Sequence, residues 1–187
     1  YFKNLFKLAQ MKIWLFLFLI CSILFACQEN KNISEEKESI ETLKNKIVSL
    51  SDSELVDREW DKIVLDSIRV NLASELSKYF RKAGDSANFY LWNTRFFKVS
   101  SASENSINIA DSFWDRASFN LSKNNLDSAY FYYQKALRIY SDLGLKSRVA
   151  TMLYNSAKVQ LELKNFTGAD VITIESLKLY EYLDDFK

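Results

Sequence analysis

The sequence predicts an all-α chain built from antiparallel helix hairpins. The chain has no proline and only three glycines, Gly84, Gly144 and Gly168, whereas a sheet protein needs turn residues about every 8–12 positions. Apolar residues make up 48% and aromatics 15%, enough material for a packed core. Ile107, Ala110, Trp114, Ala117 and Leu121 step by three and four residues, the spacing of one helix face.

Residues 1–10 precede Met11 and are read as upstream translated sequence, since Tyr1 is not an initiator. Residues 11–27 read as an address. Lys12 supplies a positive start, and residues 13–26 form an apolar run of 14. A membrane-spanning helix needs about 20 such residues, and a run of roughly 10–14 suits the core of a signal peptide. The segment Leu24-Phe25-Ala26-Cys27 resembles a bacterial lipobox, with Phe25 where a small or branched residue is usual. That resemblance implies lipidation at Cys27 and an exported protein anchored at the cell envelope, on the periplasmic side of the inner membrane or at the outer membrane. A multiply acylated cysteine would hold firmly, at about 0.8 kcal/mol per buried methylene. An ordinary cleaved signal peptide and an uncleaved anchor are the alternatives. Residues 28–34, opening Gln28-Glu29-Asn30-Lys31-Asn32, read as a polar tether.

Within residues 35–66, Ile40, Leu43, Ile47 and Leu50, preceded by Ile33, mark one helix. Ser51-Asp52-Ser53-Glu54 reads as the cap of the next, which carries Leu55, Trp60, Ile63 and Val64. The two helices form a degenerate first hairpin or a cap.

The remainder repeats. Asp85-Ser86-Ala87-Asn88-Phe89-Tyr90 matches Asp127-Ser128-Ala129-Tyr130-Phe131-Tyr132 at five of six positions, an offset of 42. An offset of 40 runs longer, pairing Ala110 with Ala150, Ala117 with Ala157, Leu121 with Leu161, Asn125 with Asn165, Ala129 with Ala169 and Leu137 with Leu177. Within a unit, Lys123-Asn124-Asn125 breaks the first helix, and Leu126, Ala129, Tyr133, Leu137 and Tyr140 mark the second. Neither helix can bury its face alone, so hairpins must stack.

This pattern resembles tetratricopeptide repeats, which place a small residue in the first helix and an alanine–aromatic–alanine series in the second. Ala117, Leu121, Leu126, Ala129, Tyr133 and Ala136 carry the resemblance in residues 105–146. Ala157, Leu161, Phe166, Ala169 and Leu177 carry it in residues 147–187, with Thr173 and Ser176 departing from it. Residues 67–104 match loosely. The helix-ending proline is missing, and the period is about 40 where 34 is usual, as in the long-helix variety of bacterial signalling regulators. The resemblance implies a right-handed superhelix, an α-solenoid, preceded by the signal helix. It also implies a concave groove lined by first helices, with Trp114, Asp115 and Ser118 (beside Leu121 and Ser122) in one repeat and Tyr154, Asn155 and Lys158 (beside Leu161 and Glu162) in the next. Asn155 stands where long-period arrays often present an asparagine to a ligand backbone. The alternative is that Trp114 and Tyr154 are core and that Asn155 and Lys158 are merely solvated.

Several function classes are excluded. Without histidine the usual triads and most zinc sites are lost. Cysteine occurs only at Cys21 and Cys27. Residues 1–27 hold three lysines and no acid, leaving 22 basic against 24 acidic residues beyond them, a net of −2. Such a body does not suit nucleic acid. There is no glycine-rich phosphate loop, nucleophile elbow or metal spacing. The basic residues needed to clamp a peptide's terminal carboxylate are not arranged at matching positions across the repeats, which disfavours that subclass. No enzyme, cofactor or metal site is expected in these residues. The expected partners are a protein or peptide and, through the N-terminus, a membrane. The layout resembles the front of envelope sensor proteins common in Bacteroidetes, with the natural protein expected to continue past Lys187. A free-standing lipoprotein scaffold and an accessory region of an envelope enzyme are the alternatives.

Overall fold

A computed structural model describes residues 39–50 and 52–184. The address segment with Cys27, the tether, Ile33 and Ser51 lie outside them. The described secondary structure is eight helices and no strand: α1 (39–49), α2 (Ser53–Asp61), α3 (Asp66–Ala83), α4 (Ser86–Ala102), α5 (Ser106–Ser122), α6 (Leu126–Asp142), α7 (Lys146–Glu162) and α8 (Phe166–Asp184). The chain divides into two compact units, residues 1–51 and 52–187. In the first, α1 buries Ile40 and Ile47. The second holds α2–α8. No described helix is long and apolar enough to cross a membrane.

In the second unit, α2 starts where Asp52 accepts a hydrogen bond from the Glu54 backbone N–H at 2.8 Å. Ile63 and Val64 fall beyond its end rather than within it. Ile63 is buried, while Val64 is 86% exposed.

The helices α3–α8 begin at residues 66, 86, 106, 126, 146 and 166, one every 20 positions. The five turns between them share one geometry. Each passes through a left-handed residue: Gly84 (φ 72°), Glu104 (53°), Asn124 (59°), Gly144 (67°) and Lys164 (59°). The next residue then donates its N–H to the carbonyl five positions back. These bonds run from Asp85 to Phe80 at 3.1 Å, Asn105 to Ser100 at 3.0 Å, and Asn125 to Asn120, Leu145 to Tyr140 and Asn165 to Gln160 at 2.9 Å. Such a closing bond satisfies carbonyls that a helix end would leave orphaned. Three of the donating residues also start the following helix. Asp85, Asn105 and Asn165 accept from the backbone N–H of Asn88, Asn108 and Gly168, each at 3.1 Å. A chain with few glycines and no proline turns in this way.

Helices α3 and α4, α5 and α6, and α7 and α8 pack as hairpins, and each hairpin packs on the next through α4 with α5 and α6 with α7. The register between hairpins is 40 throughout, so the match at 42 is not a structural one. Asp85 lies before α4 and caps it, whereas Asp127 is the second residue of α6; the counterpart of Asp85 is Asn125. The two segments look alike because the first turns of both helices hold small polar residues and aromatics.

Ala117, Ala129, Tyr133, Ala136, Ala157 and Ala169 are buried, and Leu121 and Leu126 pack against the core of α5–α7. The packing expected of Leu161, Phe166 and Leu177 is not found. They are 50%, 63% and 55% exposed. Their counterparts Leu121, Leu126 and Leu137 touch the core because another hairpin lies alongside. Among the described residues nothing lies beyond α7 and α8.

Candidate binding cleft

The first helices of the three hairpins, α3, α5 and α7, line one cleft of about 310 Å³. Ser74, Lys78 and Arg81 come from α3, Asp111, Trp114, Asp115 and Ser118 from α5, and Arg148 from α7. The steps 74–78–81 and 111–115–118 are helical steps of four and three, so each set shares one face. Asp111 and Asp115 stand one turn apart, about 6 Å along the helix.

Asp111 is firmly held. The Tyr140 hydroxyl donates to its Oδ1, and Arg148 Nη1 donates to the same oxygen at 3.3 Å. The Arg148 guanidinium also lies 5.2 Å from the centre of the Trp114 ring and 5.8 Å from that of Tyr140. Burial, reinforced by the hydrogen bond to Asp111 and its charge, pushes the Tyr140 hydroxyl far above the usual phenol range. It remains a donor at any physiological pH.

Asp115 is held loosely. Arg81 Nε stands 3.4 Å from its Oδ1, a charge contact without a hydrogen bond. Arg81 Nε and Asp115 Oδ2 are both buried and lack any hydrogen-bond partner. Such orphaned groups are uncommon in native interiors and call for an explanation. Burial pushes the Asp115 carboxyl up to about 6, against the opposing pull of the Arg81 and Lys78 charges and, more weakly, of the buried Ser77 hydroxyl beside it. Ser118 Oγ lies 3.3 Å from the Tyr133 hydroxyl, which burial also pushes above its ordinary value.

Of the six expected groove residues, Trp114, Asp115 and Ser118 share this cleft. Tyr154, Asn155 and Lys158 do not line it. They occupy the corresponding positions on α7, with Tyr154 58% exposed and Lys158 also exposed. Sequence reasoning missed Ser74, Lys78, Arg81, Asp111 and Arg148. A signal existed for three of these: Ser74, Lys78 and Arg81 lie 40 positions before Trp114, Ser118 and Leu121. No repeat signal marks Asp111 or Arg148, whose counterparts are Thr151 and Asn108. The fold gathers three basic residues, Lys78, Arg81 and Arg148, into one place.

The cleft therefore offers three cations, two carboxylates and an indole wall to whatever enters, a set suited to holding a polar group against an aromatic face. No group of three or more potential metal ligands occurs among the described residues. Compared with known proteins, the chain matches no family model and no curated protein.

Proposed function

We propose that this chain is a peptide- or protein-binding scaffold of tetratricopeptide-like repeats, with its ligand seated in the α3–α5–α7 cleft. The observation behind this reading is that consecutive first helices contribute to one cleft, with Trp114 in its wall. A half-buried indole beside fixed charges is the kind of anchor that dominates a binding surface. The 40-residue register and the alanines at helix crossings support the tetratricopeptide-like assignment and, with it, a superhelical array. The apolar run and Cys27 support display on the envelope side of a bacterial membrane, as a lipoprotein. In that setting the module serves as the sensory or interaction region of a larger signalling regulator. A free-standing lipoprotein scaffold would use the same cleft.

The test is to select binders from a random peptide library on the 187-residue chain and titrate them by fluorescence anisotropy. Trp114→Ala should weaken a selected peptide by about thirtyfold, the ~2 kcal/mol typical of an anchor residue. Phe131→Ala, which removes an exposed ring outside the cleft, should leave affinity unchanged. Selected peptides that respond only to Phe131→Ala would place the ligand elsewhere.

A further inference from the structure

The α3–α5–α7 cleft contains an unresolved charge arrangement. Lys78, Arg81 and Arg148 face Asp111 and Asp115, an excess of one positive charge. The two carboxylates are not equivalent. Asp111 is fixed by Tyr140 and Arg148. Asp115 touches Arg81 without a hydrogen bond, leaving a buried guanidinium N–H without an acceptor and a buried carboxylate oxygen without a donor. A ligand oxygen that accepted from Arg81 would satisfy the first group. A proton on Asp115 would turn the second into a donor toward that same ligand. Lys78 stands at the rim, 3.1 Å from Glu75, and can turn inward at little cost because that pair is exposed.

We propose that this cleft is an oxyanion-binding site in which a carboxylate-like group enters between Lys78, Arg81 and Arg148 while Asp115 releases Arg81 and takes up a proton from solvent. The ligand's negative charge replaces that of Asp115 on Arg81, and the ionised carboxylate becomes a neutral carboxyl that donates to the ligand. The groups facing Asp115 fit this exchange. Arg81, Lys78 and the Ser77 hydroxyl face it from α3, Asp111 from its own helix and the Tyr140 hydroxyl from α6, while Arg148 of α7 lines the same cleft. Two nearby cations are engaged elsewhere, since Arg95 of α4 pairs with Asp57 and Arg116 donates to Asn93 and Thr94. Ionised Asp115 therefore repels an incoming anion and competes for Arg81, whereas neutral Asp115 does neither. The inference rests on the reading that this cleft is the ligand site.

The experiment titrates the 187-residue chain with sulfate, whose charge is constant between pH 5.5 and 7.5, at fixed ionic strength. Binding is followed by the shift of the Trp114 indole N–H resonance. With a carboxyl that titrates near 6, the neutral form falls from about three quarters of the protein to a few per cent over that range. Affinity should drop roughly twentyfold with it. Asp115→Asn should bind at both pH values as the parent does at pH 5.5. Arg81→Gln with Arg148→Gln should abolish the shift while the circular dichroism spectrum stays helical. A parallel titration with N-acetylglutamate amide separates the two sources of the group. A response to both probes assigns the site to peptide-borne carboxylates, and a response to sulfate alone assigns it to free inorganic anions. The proposal is overturned if neither probe moves the resonance. It is likewise overturned if the double variant still binds, or if Asp115→Asn keeps the full pH dependence. Selected peptides that bind through Trp114 while both anions fail would leave the peptide reading standing and remove only this inference.

Discussion

The two junctions between hairpins solve one packing problem with different side chains. Where α4 meets α5, Phe89 stacks on Phe119 with ring centres 4.0 Å apart. Beside them buried Asn93 donates to the Ser112 carbonyl at 2.9 Å and accepts from Arg116 Nε at 2.7 Å. Arg116 Nη2 also donates to Thr94 at 3.0 Å. Where α6 meets α7, the positions 40 later hold Ala129, Val159, Tyr133, Ser156 and Gln134. The polar link persists there as Gln134 Nε2 donating to Ser156 Oγ at 3.1 Å. At the first junction a ring faces a ring, and at the second a methyl group stands opposite a branched aliphatic. Bulk removed at positions 129 and 159 is partly returned by Tyr133, which is fully buried where the first junction has Asn93. The helix length and the turn are what repeat. Side chains change in compensating sets, as close packing requires when no single partner can alter volume alone.

The largest expected break in this comparison is Phe89→Ala. It installs the residue of the second junction without the compensating tyrosine. Phe89 is fully buried, so chemical denaturation should show a loss of about 3–5 kcal/mol. A loss below about 1 kcal/mol would mean that the first junction tolerates the smaller packing unaided.

A change of similar scale concerns position 115, whose counterpart is Asn155. The folded-state carboxyl of Asp115 is pushed up from 3.8 to about 6. The folded protein thus binds more protons than the unfolded chain between those values. The resulting stabilisation is fully present below about 3.8 and is lost as pH rises through about 6. Its full size is about 3 kcal/mol, from 1.36 kcal/mol per pKa unit. Asp115→Asn should therefore be close to the parent at pH 4 and more stable by up to that amount at pH 7.5. Equal stability differences at both pH values would show that Asp115 is not the group responsible.

Overpacking the second junction is the next smaller effect. Ala129 is fully buried at the position that Phe89 fills in the first. Ala129→Leu should cost about 1–3 kcal/mol in urea denaturation, because Tyr133 already occupies the volume. A variant as stable as the parent would break the proposed equivalence of positions 89 and 129.

The same comparison explains what the sequence revealed. The second and third hairpins were legible because alanines at 117, 129, 157 and 169 keep their identity at fixed spacing. The first hairpin matches only loosely because Phe89 and Asn93 stand where the second hairpin has Ala129 and Tyr133. Three of the eight cleft residues, Ser74, Lys78 and Arg81, could be found only by the 40-residue offset, because their side chains look nothing like Trp114, Ser118 and Leu121. Arg148 was invisible for another reason. It reaches Asp111 across 37 positions of chain, and no local periodicity encodes a contact between helices of different hairpins.

The smallest effect tests the turn itself. If turn geometry sets the register, the left-handed positions should be interchangeable even where their residues differ. Gly84 and Gly144 hold two of them, while Glu104, Asn124 and Lys164 hold three with a side chain. A residue with a Cβ is strained there by about 1–2 kcal/mol, partly offset by the greater unfolded-state freedom of glycine. Lys164→Gly should therefore stabilise the chain by about 0.5–1 kcal/mol, and Gly144→Ala should destabilise it by about as much. A Cβ at Gly144 would meet nothing within 4 Å, so its cost is conformational and owes nothing to packing. Thermal melts of the two variants should move in opposite directions. Shifts of the same sign would mean that the shared φ values conceal different turns, and that the 40-residue register is held by the side-chain sets rather than by the backbone.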